Sequence, residues 1–521
     1  MEKKIINFSN VEEIIKPLKR NGKKIVHCHG VFDLLHVGHL KHFKSAKKYG
    51  DILIVSVTPD KFISKGLNRP YFNSNQRMES LASVEIIDFV VLNTSANAID
   101  IIKKIKPKYY CKGPDYNIFK ENIKDQIKNK SLATIKNNLS NNFINEKRIC
   151  KKIGCKIKFT YDEKFSSSKI INEKLSSRSD NELSFLRILK KKYTFFDIKK
   201  ILDNLSKLKF LVIGDPIIDT YLFSDSIGIS SKSPIVSTQL KFQEDYLGGS
   251  LAVSEMLAAL GCKVDILAYK SKNRFFADKL KSLSKRINLL SISNQKSLPR
   301  ISRFVHLNRN EKLFQFYEFD QFIHNKNSIS KFLKHLSNKK KENYKIIIID
   351  FGFGFLNKNM IHKLEKQVSG FSLNVHANSL NSNYNKYNKY KKYNYLTMNT
   401  KEFQLGLNTA ENDIDTLVNK SNNNIINYPF AVTLGVDGSI LVKKKQKKIY
   451  SPAFFNKTID TVGAGDAYFA VTSALINLGI DHLLTSFIGN VYAGLHSSYI
   501  GNKKFTTKEE LLRSIYSILN E

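Results

Sequence analysis

Short runs rich in β-branched residues alternate with helix-patterned segments in two separate series, and this alternation limits the chain to α/β folds built on parallel sheets. In the first series KIVHCHG, DILIVSV and DFVVLN are interleaved with HLKHFKSAKKYG and NSNQRMESLASVE. The second opens with KFLVIGD near Lys209 and continues through KVDILAY, KIIIID and FAVTLG to a helical stretch from Thr507. Parallel neighbours need a crossover between them, so each series closes its own sheet and the chain is expected to hold two α/β domains. The expected boundary lies near residue 185, giving domains 1–184, connector included, and 185–521. Residues 117–150 read as polar and helical or loose, and 173–200 as a helical connector. The Asn/Lys/Tyr segment from Asn381 to Tyr395 reads as a solvated loop insertion without a function of its own.

Composition narrows the function classes. No run approaches the roughly 18 apolar residues of a spanning helix, and MEKKIINFSNVEEIIK lacks the apolar core of a secretory signal, so the protein is expected to be cytoplasmic. Cys28, Cys111, Cys150, Cys155 and Cys262 form no CxxC pair, which suits reduced thiols better than a disulfide framework or a zinc site. The balance of 84 Lys+Arg against 46 Asp+Glu gives +38, a charge compatible with nucleic acid, an anionic membrane or phosphorylated substrates. Lysine is enriched along the whole chain, as in NYNKYNKYKKYNY, which points to a general compositional bias. With no helix-turn-helix, zinc or aromatic-platform signature, the expected partners are small molecules, with no specific nucleic acid and no membrane.

The segment from Gly30 to His39, GVFDLLHVGH, follows a strand and precedes a helix. Such a turn presents backbone N–H groups and the positive end of a helix, where phosphate binds. His36 and His39 can both reach one phosphate. Their ring N–H groups can stabilise charge that develops during attack at the α-phosphorus of a nucleoside triphosphate. Gly38 lets a nucleotide approach the backbone closely. Metal ligation by the two histidines is the competing reading.

GVFDLLHVGH resembles the GxFDxxHxGH signature of the cytidylyltransferase-like nucleotidyltransferases. KGLNRPYFNSNQRMESLASVEIIDFVV, IKPKYYCKGPDY and Phe165-Ser-Ser-Ser168-Lys169 resemble later segments of that family, in order. The resemblance implies a Rossmann-like HxGH domain in which His36 and His39 stabilise the transition state. It places Gly30, Phe32, Asp33 and Gly38 at the nucleotide turn, and Lys65, Arg77, Lys112, Ser166, Ser167 and Ser168 at phosphate. The serines also fit a plain helix cap, and Arg77 and Lys112 fit solvated helix or strand ends. The donor implied is ATP or CTP.

Asp460-Thr-Val-Gly463-Ala464-Gly465-Asp466 runs directly into the helical segment AYFAVTSALINLG. Its small residues expose consecutive N–H groups at a helix N-terminus, an anion hole for a transferring phosphoryl group. Asp466 can take the proton of a hydroxyl that attacks the γ-phosphate. An Asp-capped helix after a glycine-rich loop is the plainer reading. The heptad resembles the C-terminal signature of the ribokinase-like, PfkB-type carbohydrate kinases, and other segments between about residues 207 and 520 agree with it. The resemblance implies a ribokinase-like α/β sandwich with Asp219, Gly248 and Gly249 at the sugar and Asp466 as base. Thr433, Gly435, Gly438, Gly463, Ala464, Gly465 and Asn490 fall at the nucleotide. Asn399 and Glu402, an NxxE pair, would organise phosphate and hold Mg²⁺ through water, with ATP as donor.

A transferase joined to a sugar kinase resembles the bifunctional heptose-phosphate kinase/adenylyltransferases of surface-polysaccharide synthesis, with the domain order reversed. The implied product is a nucleotide-activated sugar, and homo-oligomers are common to both families. Where those kinases read GGAANVA, this chain has Ala252 at the asparagine, and their DYGKG segment becomes Asp350-Phe-Gly-Phe353-Gly. Asn374, His376 and Asn378 replace an expected acid and base. These changes imply a different sugar. The alternative is a nucleotidyltransferase for a polyol or sugar phosphate with a kinase-like domain that only senses a ligand.

Overall fold

The computed structural model of the chain describes residues 4–63, 70–113, 143, 145–160, 178–272, 274–307, 309, 311–320, 322, 324–381, 384–422, 428–443, 448–455 and 458–520. Two compact units divide between Ser177 and Arg178. Lys65, Ser166, Ser167 and Ser168 lie outside the described residues, as does most of the polar stretch after residue 117.

In the first unit, β1 (Ile5–Ile6), β2 (Ile25–Gly30), β3 (Ile52–Val57), β4 (Phe89–Leu92), β5 (Tyr109–Lys112) and β6 (Lys156–Phe159) form a parallel sheet in the order β1-β4-β3-β2-β5-β6. Alternate side chains feed two cores. Val26, Cys28, Leu53, Val55 and Val57 pack with Phe43 of the helix Val37–Lys47 and Leu81 of the helix Ser74–Ala82. Ile25, Ile54, Val91 and Tyr110 pack with Ile15 of Val11–Arg20 and Ile102 of Ile99–Ile105. Strands covered on both faces read as continuous apolar runs. The chain lays down β2, β3 and β4 in one direction and then returns to place β5 on the other side of β2. The reversal leaves a crevice at the carboxyl ends of β2 and β5, where open α/β sheets bind ligands.

In the second unit, β7 (Lys209–Gly214) is followed by β8 (Pro216–Ile229), β9 (Val236–Gly249), β10 (Lys263–Ser271), β11 (Ile287–Gln295), β12 (Arg300–His306) and β13 (Lys312–Glu318). Then come β14 (Lys345–Asp350), β15 (Phe371–Val375), β16 (Tyr393–Asn399), β17 (Phe430–Thr433), β18 (Ser439–Val442) and β19 (Ile449–Ser451). The main sheet has nine strands in the order β11-β10-β7-β14-β15-β16-β17-β18-β19, parallel up to β17. A second sheet of four strands runs β13-β12-β8-β9. Order reverses here between β7 and β14. The last residue of β7, Gly214, is required to be glycine, since a Cβ there would stand 1.9 Å from the Ile349 carbonyl oxygen. The site crevice opens just beyond that close approach.

One expectation is overturned. The stretch from Asn381 to Tyr395 is packed rather than solvated: Asn381, Asn385, Tyr387, Tyr390 and Tyr393 are buried, and Tyr393 opens β16. Its carboxamides donate to backbone carbonyls at the end of β14 and in the turn after it. Asn381 Nδ2 donates to Phe351 O at 2.6 Å, and Asn385 Nδ2 donates to Asp350 O at 3.1 Å. Polar composition here means hydrogen bonding to protein instead of water. Among the described residues no helix is long and apolar enough to cross a membrane, and all five cysteines are buried free thiols.

Candidate functional site

In the first unit the site grows from the end of β2. Phe32 and Leu34 take φ of +52° and +58°, conformations that L-residues adopt at a cost and that mark functional turns. Gly30 is required beside them, since a Cβ would meet the Phe32 ring at 2.9 Å. Asp33 accepts hydrogen bonds from the backbone N–H groups of Tyr71 (2.8 Å) and Phe72 (3.0 Å), tying the turn to the start of the helix Ser74–Ala82. His36 caps the helix Val37–Lys47, its Nδ1 accepting from Gly38 N–H at 3.1 Å. That bond leaves the ring proton on Nε2 of the neutral imidazole. Burial holds the His36 pKa below its ordinary value, which favours the neutral ring with its proton on Nε2. The His36 and His39 rings stack with centroids 3.9 Å apart, and Phe32 meets His39 edge-on at 5.4 Å. The structure therefore brings Gly30, Phe32, Asp33, His36, Gly38 and His39 together.

Arg77 and Lys112 stand differently. Arg77 is fully buried, and its guanidinium donates to Phe72 O (3.0 Å), Val31 O (2.5 Å), Thr58 O (2.9 Å) and the Asp60 carboxylate (2.5 Å). It braces the turns that follow β2 and β3. Lys112 ends β5 and is ion-paired with buried Glu146 at 2.9 Å. Glu146 also accepts from Tyr110 Oη and Ala98 N–H, a role hidden in a stretch whose sequence reads as polar and loose.

Sequence reasoning also passed over a polar chain inside the sheet. Ser56 Oγ lies 2.8 Å from His27 Nε2 and 2.7 Å from His29 Nδ1, and His29 Nε2 lies 3.3 Å from Thr58 Oγ1. Burial, with the Lys112 charge adding to it, pushes His29 down to about 3. Burial likewise pushes His27 well below its ordinary value. Both rings are neutral near pH 7. Histidines at alternate positions of an apolar run were the available signal.

In the second unit a cavity of about 490 Å³ opens at the carboxyl ends of the central strands. Gly463, Ala464 and Gly465 line it at the N-terminus of the helix Ala464–Asn477. Gly463 has φ +82°, and a Cβ there would meet His496 Nε2 at 2.7 Å and Asn502 Oδ1 at 2.8 Å. Asp460 locks the loop, accepting from Val462 N–H (3.0 Å), Gly501 N–H (2.9 Å), Tyr221 Oη (2.9 Å) and Lys312 Nζ (2.5 Å). Burial would raise its pKa, but Lys312 and the N–H donors outweigh burial and hold it low.

Asp466 lies in the first helical turn, buried at 6% exposure, and accepts from His376 Nε2 at 2.9 Å. Burial disfavours charge on His376, yet Asp466 and then Glu402 raise its pKa to about 9. Asn399 caps the helix Thr400–Leu407 in a reciprocal box with Glu402: its Oδ1 accepts from Glu402 N–H at 2.9 Å, and Glu402 Oε2 accepts from Asn399 N–H at 2.8 Å. Glu402 Oε1 accepts from Ala377 N–H at 3.1 Å, and burial raises the Glu402 pKa. Among the described residues no cluster of three or more His, Cys, Asp or Glu groups is disposed to grip a metal directly. Asn399 and Glu402 are hard oxygen donors with lone pairs beyond those their caps use. That donor chemistry fits a hydrated divalent cation such as Mg²⁺.

Elsewhere in the cavity lining, Asp219 on β8 pairs with buried Arg303 on β12. Gly248 is required there, since a Cβ would stand 2.5 Å from Asp219 Oδ2. Gly249, at φ +56°, caps the helix Ser250–Ala259 and lines the cavity. Arg303 had not been singled out from sequence. Thr433, Gly435, Gly438 and Asn490 line the cavity too. Asn490 Nδ2 donates to Ser451 O (2.7 Å) and Pro452 O (3.0 Å), fixing the chain after β19. The departures from the kinase pattern separate clearly. Ala252, Phe353 and Asn374 are buried in the core, and Asn378 braces Phe351 O at 3.3 Å, whereas His376 lines the cavity.

The family model described as pfkB family carbohydrate kinase matches residues 207–481, more than half of the chain. The chain belongs to the pfkB family. A second model, described as cytidylyltransferase-like, matches residues 27–173, so this pfkB protein joins a nucleotidyltransferase-type unit to a carbohydrate-kinase unit, in that order. Among curated relatives, "Bifunctional protein HldE" of Aliarcobacter butzleri is 39% identical over 129 residues, covering 24% of this chain and 27% of that protein. The protein of the same name from Sulfurimonas denitrificans is 42% identical over 114 residues, 22% and 24% of the two chains. The matched region thus spans about a quarter of these relatives. Among solved structures, phosphofructokinase-2 from Escherichia coli in complex with substrates and products gives a TM-score of 0.48 at 14% identity, covering 60% of this chain and 100% of that one. Ribokinase from Arabidopsis thaliana complexed with ribose and ATP gives 0.45 at 14%, covering 60% and 99%.

Proposed function

We propose that this pfkB protein is a bifunctional enzyme of nucleotide-activated sugar synthesis, acting on a heptose-like sugar. In the second unit, ATP and the sugar share the cavity. The sugar hydroxyl oxygen attacks the γ-phosphorus, its bond to the β-phosphate oxygen breaks, and ADP leaves. Asp466 takes the hydroxyl proton, while the N–H groups of residues 463–465 receive the charge that develops on the phosphoryl oxygens. Asp219 holds a sugar hydroxyl. Asn399 and Glu402 would hold Mg²⁺ through water, and the ion would supply charge neutralisation for the phosphates.

In the first unit, a sugar 1-phosphate oxygen attacks the α-phosphorus of ATP or CTP, and pyrophosphate leaves. His36 Nε2–H and His39 donate to the phosphate oxygens as charge builds. Lys65, Ser166, Ser167 and Ser168 are further phosphate ligands in this reading. The heptose-like sugar and the choice of ATP rest on the likeness of the first unit to the HldE proteins.

The observation that carries the kinase reading is Asp466 in the first turn of a glycine-led helix, facing the same cavity as Asp219. The test is pyrophosphate release with each of ATP, CTP, GTP and UTP against a panel of heptose and hexose 1-phosphates, alongside ADP formation with ATP and the corresponding sugars. Turnover with one nucleotide–sugar pair, lost in His36→Ala, and ADP formation lost in Asp466→Asn are the expected results. No pyrophosphate release across the panel refutes the transferase reading, and no ADP formation refutes the kinase reading.

A further inference from the structure

Among the described residues, His376 is the side chain whose hydrogen bond reaches the Asp466 carboxylate, Nε2–H donating to Oδ1 at 2.9 Å. The ring is held on several sides. Its Nδ1 stands 3.6 Å from Glu402 Oε1, and its face stacks on Phe351 with centroids 4.0 Å apart and planes 16° apart. The main chain is pinned as well. His376 N–H donates to Asp350 O at 2.9 Å, and His376 O accepts from Asn381 Nδ2 at 3.3 Å and Asn385 Nδ2 at 2.9 Å. Phe351, against which the ring lies, has its own carbonyl held by Asn378 and Asn381. The ends of β14 and β15 and the asparagine-rich segment thus commit their hydrogen bonds to setting one imidazole against one carboxylate oxygen.

We propose that His376 is a positioning residue for phosphoryl transfer: it fixes Asp466 Oδ1 and thereby aims Oδ2 at the substrate hydroxyl, with Asn378, Asn381 and Asn385 as its frame. The inference rests on the kinase reading above. A carboxylate with no such partner rotates about χ1 and χ2, and displacement of a reacting group by about 1 Å costs roughly 10²-fold in rate. The same frame assigns a purpose to the asparagine-rich segment, since its carboxamides fix the backbone from which the imidazole projects. Asn374, by contrast, bonds Thr397 in the interior and takes no part.

The experiment uses the full-length chain, ATP and whichever sugar of the panel supports ADP formation. His376→Leu is expected to lower kcat about 10- to 100-fold while KM for ATP stays within about twofold. His376→Gln, whose carboxamide nitrogen reaches close to the Nε2 position, restores the rate to within about fivefold, whereas His376→Asn, which reaches only the Nδ1 position, does not. On an Asp466→Asn background, His376→Leu brings no further loss, because the residue acts through Asp466. Thermal unfolding of each variant identifies one that fails to fold, and the comparison of His376→Gln with His376→Asn then decides. Wild-type rates in His376→Leu, equal impairment in the Gln and Asn variants, or additive losses with Asp466→Asn overturn the inference and leave the kinase reading standing. Wild-type protein that forms no ADP with any sugar overturns both.

Discussion

Arg77→Ala separates two roles that one arginine can play. As a phosphate ligand, Arg77 would leave the ligand-free protein unaffected when removed, or even relieve an unpaired charge. As the brace seen here, it holds Val31 O, Thr58 O and Phe72 O and pairs with Asp60 from a fully buried position. Hydrogen bonds from a charged group contribute about 1.5–3 kcal/mol each. The Asp60 side chain is 40% exposed, so water can replace part of what it loses and that bond belongs at the bottom of the range. The three carbonyls are left near a cavity that water reaches only partly, so the bonds do not sum in full. The expected cost is about 3–5 kcal/mol, the range for removing one partner of a buried charged network. At about 2–4 °C per kcal/mol for a unit of this size, the transition of the first unit should fall by about 6–20 °C in differential scanning calorimetry of the full-length protein. Arg77→Lys keeps the charge but not the planar fork, and should recover less than half of the loss. A shift of under about 2 °C with pyrophosphate release abolished would refute the bracing argument and return Arg77 to the phosphate.

Three further outcomes follow from the same geometry. Gly463→Ala places a Cβ 2.7 Å from His496 Nε2 at φ +82°, and should cost about 1–3 kcal/mol in chemical denaturation and at least about tenfold in ADP formation. Asp466→Asn should lower ADP formation at least about 10²-fold and leave pyrophosphate release by the first unit at the wild-type rate, as read in paired assays on one preparation. The first unit should lose stability as pH falls from about 6.5 towards 3. Burial depresses the folded-state pKa of His29 to about 3, so across that window the unfolded chain binds more protons and stability falls with falling pH. The limit is about 1.4 kcal/mol per pH unit for each such histidine, and urea titrations between pH 7 and 4 should show a shallower slope in His29→Asn.

How legible this was in the sequence depends on the kind of interaction. The α/β class was visible because strands buried on both faces read as short, mostly apolar runs, as KIVHCHG, DILIVSV and KIIIID do. The turn at His36 and the helix at Asp466 were legible because glycines and small residues at fixed spacing carry backbone geometry in the residue type itself. Partners distant in sequence were not legible. Arg303 meets Asp219 across 84 positions, and Lys312 meets Asp460 across 148, and nothing local to either residue announces the pairing. The asparagine-rich segment misled for a related reason. A carboxamide that braces a buried carbonyl and one that faces water look identical in composition, and only the fold decides which a given Asn becomes.

That distinction also bears on the charge of the chain. An excess of +38 suggests a site that attracts phosphate through lysine and arginine, yet the kinase cavity is built otherwise. The carboxylates in and around it are paired with cations: Asp219 with Arg303, Asp460 with Lys312, and Asp466 and Glu402 with a shared His376. Among the described residues that line the cavity, the cations Arg303 and His376 are both committed to carboxylates. In the proposed kinase reading, recognition of phosphate falls to neutral, fixed donors, the N–H groups at the start of the helix Ala464–Asn477, which need no reorganisation and are only weakly screened by salt. Matching also explains why carboxylates are tolerated beside an anionic substrate. An unpaired Asp466 next to a γ-phosphate would repel it, whereas one hydrogen-bonded to a cationic ring presents less charge to the phosphate while keeping an oxygen for the hydroxyl proton. Among the described residues no lysine lines this cavity.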